Sequence, residues 1–81
     1  MDIHVRLFAM LRDAAGTDAC RLTLEPTARS RDAKTVLSAR YPALARLLPY
    51  ARCAINREYQ SWETALNDGD ELALIPPVSG G

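Results

Sequence analysis

The residues best placed to do chemistry stand at the end of the chain, Leu74-Ile75-Pro76-Pro77-Val78-Ser79-Gly80-Gly81. An apolar run closes on two prolines and is followed by a double glycine. The reacting group this points to is the α-carboxylate of Gly81. With a pKa of about 3.5 it is ionised at neutral pH and is a poor electrophile. Joining it to a good leaving group would open its carbonyl to a nucleophile, which is acyl transfer through a covalent carrier. The residue types fit that use. Glycine has no Cβ to obstruct entry into a narrow site, so Gly80 and Gly81 bring little bulk. Ordering each backbone residue costs on the order of 1–2 kcal/mol. Pro76 and Pro77 lower that cost because their φ is fixed near about −65°. Residues 76–81, with Val78 and Ser79 between the prolines and the glycines, therefore read as an extended tail with a stiff base and a flexible tip. Its reach is at most about 20 Å, from roughly 3.3–3.6 Å per residue.

The remaining reactive side chains form no comparable group. Cys20 and Cys53 are far apart and the single histidine is His4, so the ligands of a zinc site are lacking and no metal is expected. Both cysteines lie in apolar, strand-like runs and read as small packing residues. Asn67-Asp68-Gly69-Asp70 gathers oxygens but lacks the spacing and distal glutamate of a calcium loop, so it reads as a turn.

Bulk properties narrow the class further. The 81 residues allow one small domain, and 48% hydrophobic with 25% charged residues is ordinary for a folded protein. Ten basic residues balance ten acidic ones, which argues against a nucleic-acid partner. No run approaches the roughly 20 apolar residues of a membrane span, and Met1 leads directly into a strand pattern without a signal-like segment. The expectation is a soluble cytoplasmic protein. Nine of the ten basic residues are arginine and one is Lys34, which reads as coding bias.

The elements that must position the tail follow from periodicity. Residues 2–8 alternate, with Ile3, Val5 and Leu7 on one face and His4, Arg6 and Phe8 on the other. Residues 9–15 are helix formers that stop at Gly16, suited to a left-handed cap. Residues 19–25 alternate again and pair most simply with the first strand. A longer helix follows, capped by Thr27 or Ser30 and running to about Arg40, with Ala33, Val36, Leu37 and Tyr41 as its apolar stripe. Residues 43–48 suggest a further helical turn before Pro49. Ala51–Asn56 and Glu58–Gln60 read as strands joined at Asn56-Arg57. Ser61–Leu66 has no period and carries Trp62 toward the core. Glu71–Ile75 is apolar on both faces, as a central strand is. Placed beside the first strand, it sets Ile75 near Phe8 on the face away from the helix. The two make an apolar patch at the root of the tail. The whole reads as an α+β domain in two layers, a mixed sheet over one main helix.

Three segments resemble one family. They are Phe8-Ala9 with Arg12-Asp13 and Gly16, Asn67-Asp68-Gly69-Asp70-Glu71 with Ala73-Leu74-Ile75, and Pro76-Pro77-Val78-Ser79-Gly80-Gly81. The chain resembles the ubiquitin-like sulfur carriers, and within them the small subunits of molybdopterin synthase, over its whole length. The start of the main helix departs from the family pattern, since Ala28–Arg31 is weakly apolar. The resemblance implies a β-grasp fold in residues 1–75, with a five- or four-stranded sheet, and a tail at 76–81. It also implies that an adenylylating enzyme uses ATP to activate Gly81 and that a sulfur donor converts the adenylate to a thiocarboxylate. The large synthase subunit, in a heterotetramer, would then direct the sulfur to cyclic pyranopterin monophosphate. No cofactor is expected on the carrier itself. Phe8 and Ile75 become candidates for partner docking. Carriers for thiamine, cysteine or tRNA thiolation, a ubiquitin-like modifier and a passive interaction module are the competing readings.

Overall fold

The computed structural model of the protein describes residues 1–77. Its elements run β1 (Asp2–Leu7), α1 (Ala9–Ala15), β2 (Ala19–Thr23), α2 (Ser30–Arg40), β3 (Arg52–Ile55), β4 (Glu58–Gln60) and β5 (Glu71–Ile75). The five strands form one mixed sheet in the order β2-β1-β5-β3-β4. β5 is central, parallel to β1 on one side and antiparallel to β3 on the other. This is the mixed α+β sheet expected from the alternation of β1 and the two-faced apolarity of β5, in the β-grasp form that the family resemblance implies.

One face of the sheet carries the core. Ile3, Val5 and Leu7 of β1, Leu22 of β2, Cys53 and Ile55 of β3 and Leu72 and Leu74 of β5 are all buried there, against Leu11, Ala33 and Leu37 of the helices. Truncating one such leucine to alanine in a packed core costs roughly 2–5 kcal/mol. Gly16 ends α1 at φ 76° and returns its N–H to the Arg12 carbonyl, the left-handed cap expected at that position. Asn56 and Arg57 both have positive φ, 51° and 70°, and make the tight turn between β3 and β4.

Several sequence expectations are corrected. Neither Thr27 nor Ser30 caps α2. The N-cap is Arg29, whose N–H is accepted by the Asp32 carboxylate at 2.7 Å. The first helical N–H groups instead donate to a distant segment, Ser30 to the Thr64 carbonyl and Arg31 to the Trp62 carbonyl, both at 2.9 Å. Ser30 is buried and its hydroxyl donates to the Ser61 carbonyl. Residues 61–66 are thus held by the helix start and not by a strand ladder, which explains their lack of period. The Arg31–Glu63 ion pair and an isolated bridge between Arg29 and Ala65 fasten the same junction. The helical turn expected at 43–48 is replaced by two 3₁₀ turns, Pro42–Leu44 and Leu48–Tyr50, each with a proline at its start. β2 stops at Thr23, two residues before its expected end.

The Asn67–Asp70 turn uses its oxygens on the protein itself. Asp70 is buried and accepts from the Asn67 N–H at 2.8 Å and the Asn56 side-chain amide at 2.9 Å. Asp68 accepts from the Asp2 N–H at 2.7 Å. Gly69 has φ 86°, and its N–H donates to the Asp2 carbonyl. The turn therefore sets the height at which β5 enters the sheet beside β1.

Candidate functional site

The site is the end of the sheet from which the chain leaves β5. The last registered pair of the β1–β5 ladder is Leu7↔Leu74, and Ile75 pairs with Arg52 of β3. The next residues beyond Leu7 and Leu74 are Phe8 and Ile75, one step past the end of the ladder. Phe8 is in extended geometry as the N-cap residue of α1, and its carbonyl accepts from the Leu11 and Arg12 N–H groups. Pro76 and Pro77 continue from the central strand and are half-buried. Val78, Ser79, Gly80 and Gly81, together with the expected flexible tip, lie outside the described residues.

Sequence reasoning did not single out Met10, Tyr50 or Tyr59. Among the described residues the large exposed hydrophobic side chains are Phe8 at 40%, Met10 at 45%, Tyr50 at 71% and Tyr59 at 63% exposure. Phe8 and Met10 sit at the β1–α1 junction, and Tyr50 ends the 3₁₀ turn two residues before β3. Tyr59 stands opposite Ala54 on β4.

Arginines flank the aromatics. The Arg6 guanidinium lies 5.6 Å from the Phe8 ring centre and that of Arg52 4.9 Å from the Tyr59 ring centre. Between them, Ala73 and Ala54 are paired small residues in the middle of the outer face. The result is a shallow surface with an apolar centre and cationic margins, ending at the prolines. It offers contact area, and among the described residues no acid–base or nucleophilic side chain lies near the chain exit. His4 lies on the outer face of β1, paired with Arg21 and Glu71, away from that exit.

The two thiols differ. Cys53 is buried on β3, and its Sγ donates to the Gln60 carbonyl at 3.3 Å. Burial pushes its pKa up, partly opposed by the Ser30 hydrogen bond and the Lys34 charge. Cys20 is half-buried. In the folded protein we expect Ellman's reagent to modify Cys20 first, with Cys53 reacting only on denaturation, because the thiolate is the nucleophile. The sign of the linkage follows. The contribution of Cys53 to stability is intact below the thiol's unfolded value and is lost as pH rises through the raised folded one. Equal reaction of both thiols in the folded state would contradict this.

Lys34 lies 4.7 Å from the Trp62 ring centre, and the Trp62 indole N–H donates to the Ala51 carbonyl. Trp62 is therefore a packing residue, as expected. Among the described residues, no helix is long and apolar enough to cross a membrane.

The sequence profile of the ThiS family matches residues 5–81, which takes in the end of β1, the central strand and the tail. The chain belongs to the ThiS family. Among relatives of this ThiS-family chain, the molybdopterin synthase sulfur carrier subunit of Chlamydomonas reinhardtii is 39% identical over 83 residues, with 100% of both chains covered. The molybdopterin synthase sulfur carrier subunit of Escherichia coli is 38% identical, covering 98% of this chain and 99% of that one. The crystal structure of small archaeal modifier protein 1 of Haloferax volcanii superposes with a TM-score of 0.86 at 32% identity, covering 95% of this chain and 98% of that one.

Proposed function

We propose that this ThiS-family chain is the sulfur carrier subunit of a molybdopterin synthase. The observation that carries the reading is the end-to-end similarity to proteins of that name from an alga and a bacterium. The family match also runs through the Gly80-Gly81 end.

In this reading the Gly81 carboxylate attacks ATP on an activating enzyme, pyrophosphate leaves and an acyl-adenylate forms. A sulfur nucleophile from a donor then adds to the carbonyl and AMP leaves, giving the thiocarboxylate. The thiocarboxylate sulfur bonds to a carbon of cyclic pyranopterin monophosphate on the large subunit, and water then cleaves the acyl–sulfur bond and restores the Gly81 carboxylate. Two carriers serve each molybdopterin, because the dithiolene holds two sulfurs. The carrier supplies position and its partners supply the acid–base groups, in keeping with a surface that has area but no catalytic side chains. The apolar surface around Phe8 and Ile75 docks the body while Pro76 and Pro77 direct the tail. The reading includes a cytoplasmic location for these steps.

The likeness to a small archaeal modifier favours a second reading, in which Gly81 forms isopeptide bonds with lysines of other proteins. Intact-mass spectrometry of the protein from its own host separates the two. The carrier predicts the mass gain of one sulfur-for-oxygen exchange, and molybdopterin formation when that species meets a large subunit. A modifier predicts larger protein adducts instead. Recovery of adducts without any thiocarboxylate would overturn the first reading.

A further inference from the structure

A second surface lies away from the tail, along the free edge of β2. In the β1–β2 ladder the hydrogen-bonded pairs alternate. Met1 and Leu24 exchange both bonds, and the Leu7 N–H donates to the Asp18 carbonyl. By the register, Ile3↔Leu22 and Val5↔Cys20 are the bonded pairs between them. The backbone groups of Ala19, Arg21 and Thr23 consequently point outward from the sheet. The Ala19 N–H and carbonyl are both engaged by the Thr17 hydroxyl. The Arg21 carbonyl accepts from Arg40 at the end of α2 at 3.0 Å. Among the described residues the Arg21 N–H and both backbone groups of Thr23 have no partner, and an edge strand with such groups is a template for another strand.

A groove of about 310 Å³ adjoins that edge, lined by Leu24, Glu25, Thr27, Ala28, Asp32 and Val36. Asp32 and Val36 are spaced four apart on one face of α2, so the helix forms one wall, and the segment 24–28 that continues β2 forms the other. Leu24, Ala28 and Val36 make an apolar lining, and Glu25 and Asp32 add two carboxylates to it.

We propose that this groove takes an extended segment of a partner protein that adds as a strand to β2. The segment pairs with the Arg21 N–H and both backbone groups of Thr23 and inserts a branched apolar side chain among Leu24, Ala28 and Val36. A lysine or arginine beside that side chain faces Glu25 and Asp32. Main-chain hydrogen bonds supply the affinity and the alternating side chains the selectivity, as in other strand additions. The carboxylate pair decides the charge of the partner. The edge belongs to β2, whereas the docking surface around Ile75 lies at the chain exit beyond β1 and β5. Both can be occupied together, so a partner can hold the carrier while its tail is in use elsewhere.

The test is an NMR titration of the ¹⁵N-labelled full chain with the capped peptide acetyl-Lys-Val-Ile-Val-Thr-amide. Saturable shifts are expected at the amides of Arg21, Thr23 and Leu24, with Phe8 and Ile75 unmoved. Replacing the peptide lysine by glutamate is expected to weaken binding at least fivefold, and proline in place of its isoleucine to abolish it. Glu25→Lys, an exposed change, should reverse the preference between the lysine and glutamate peptides while leaving the spectrum of the free protein otherwise intact. The proposal is overturned by any of three results. These are no saturable shift at the β2 edge, shifts confined to the Phe8–Ile75 surface, or equal binding of the lysine and glutamate peptides. Concentration-dependent shifts of the same edge in the free protein, with matching dimerisation in sedimentation, would assign it to a second copy of this chain and also overturn the proposal.

Discussion

Appending one residue after Gly81 is expected to abolish thiocarboxylate formation. The addition moves the terminal carboxylate by up to about 3.3–3.6 Å and puts a Cβ where glycine leaves room. A misplacement of roughly 1 Å at a reacting centre can already cost about a hundredfold in rate. A whole residue should therefore bring charging below detection. The domain that carries the tail draws its stability from the core between β1, β5 and the helices, so the melting temperature should not change. The measurement is intact mass after incubation with the activating enzyme, ATP and a sulfur donor. An extended chain that charges to the same extent as the parent would remove Gly81 from the mechanism.

Phe8→Asp is expected to weaken binding to the large subunit by roughly 30- to 1000-fold, about 2–4 kcal/mol, with the fold retained. Fully burying a side chain of this size is worth about 1.5–3 kcal/mol, and an unpaired carboxylate in its place adds a desolvation penalty. The fold should tolerate the change because Phe8 is the N-cap of α1, with φ −123° and ψ 153° and no side-chain cap bond. Aspartate at that position can accept a helix N–H and serve the helix better than phenylalanine does. Ile75→Asp tests the same surface from β5 and should act in the same direction. Calorimetry against the large subunit reads the affinity, and circular dichroism reads the fold. Unchanged affinity in both variants would separate docking from this surface.

The parts of the fold legible in the sequence are those whose partners are local or whose periodicity is strong. The alternation of Ile3, Val5 and Leu7 fixes the inner face of β1, and Gly16 marks the end of α1 because left-handed φ favours glycine there. The unbroken apolarity of Leu72–Ile75 places β5 between two neighbours. The start of α2 was hidden because its N–H groups are satisfied by Trp62 and Thr64, some 30 residues away in sequence. No side chain near Arg29 announces that arrangement, whereas Thr27 and Ser30 offer a plausible but unused cap. The candidate site divided in the same way. Phe8 and Ile75 are candidates legible in the sequence because two strand patterns converge on them. Met10, Tyr50 and Tyr59 are exposed apolar residues of three separate segments, of which only that of Tyr59 belongs to the sheet.

The central place of β5 also determines how the body bears a load. A pull transmitted through Pro76 and Pro77 runs along the axis of a strand bonded to β1 on one side and β3 on the other. Such a pull shears both ladders at once, so many hydrogen bonds share the force and none opens alone. An edge strand pulled from its end would peel one bond at a time. Tension arising while the tail is drawn into a partner is therefore resisted by the stiffest part of the sheet, and the body can act as an anchor against which the tail is held taut.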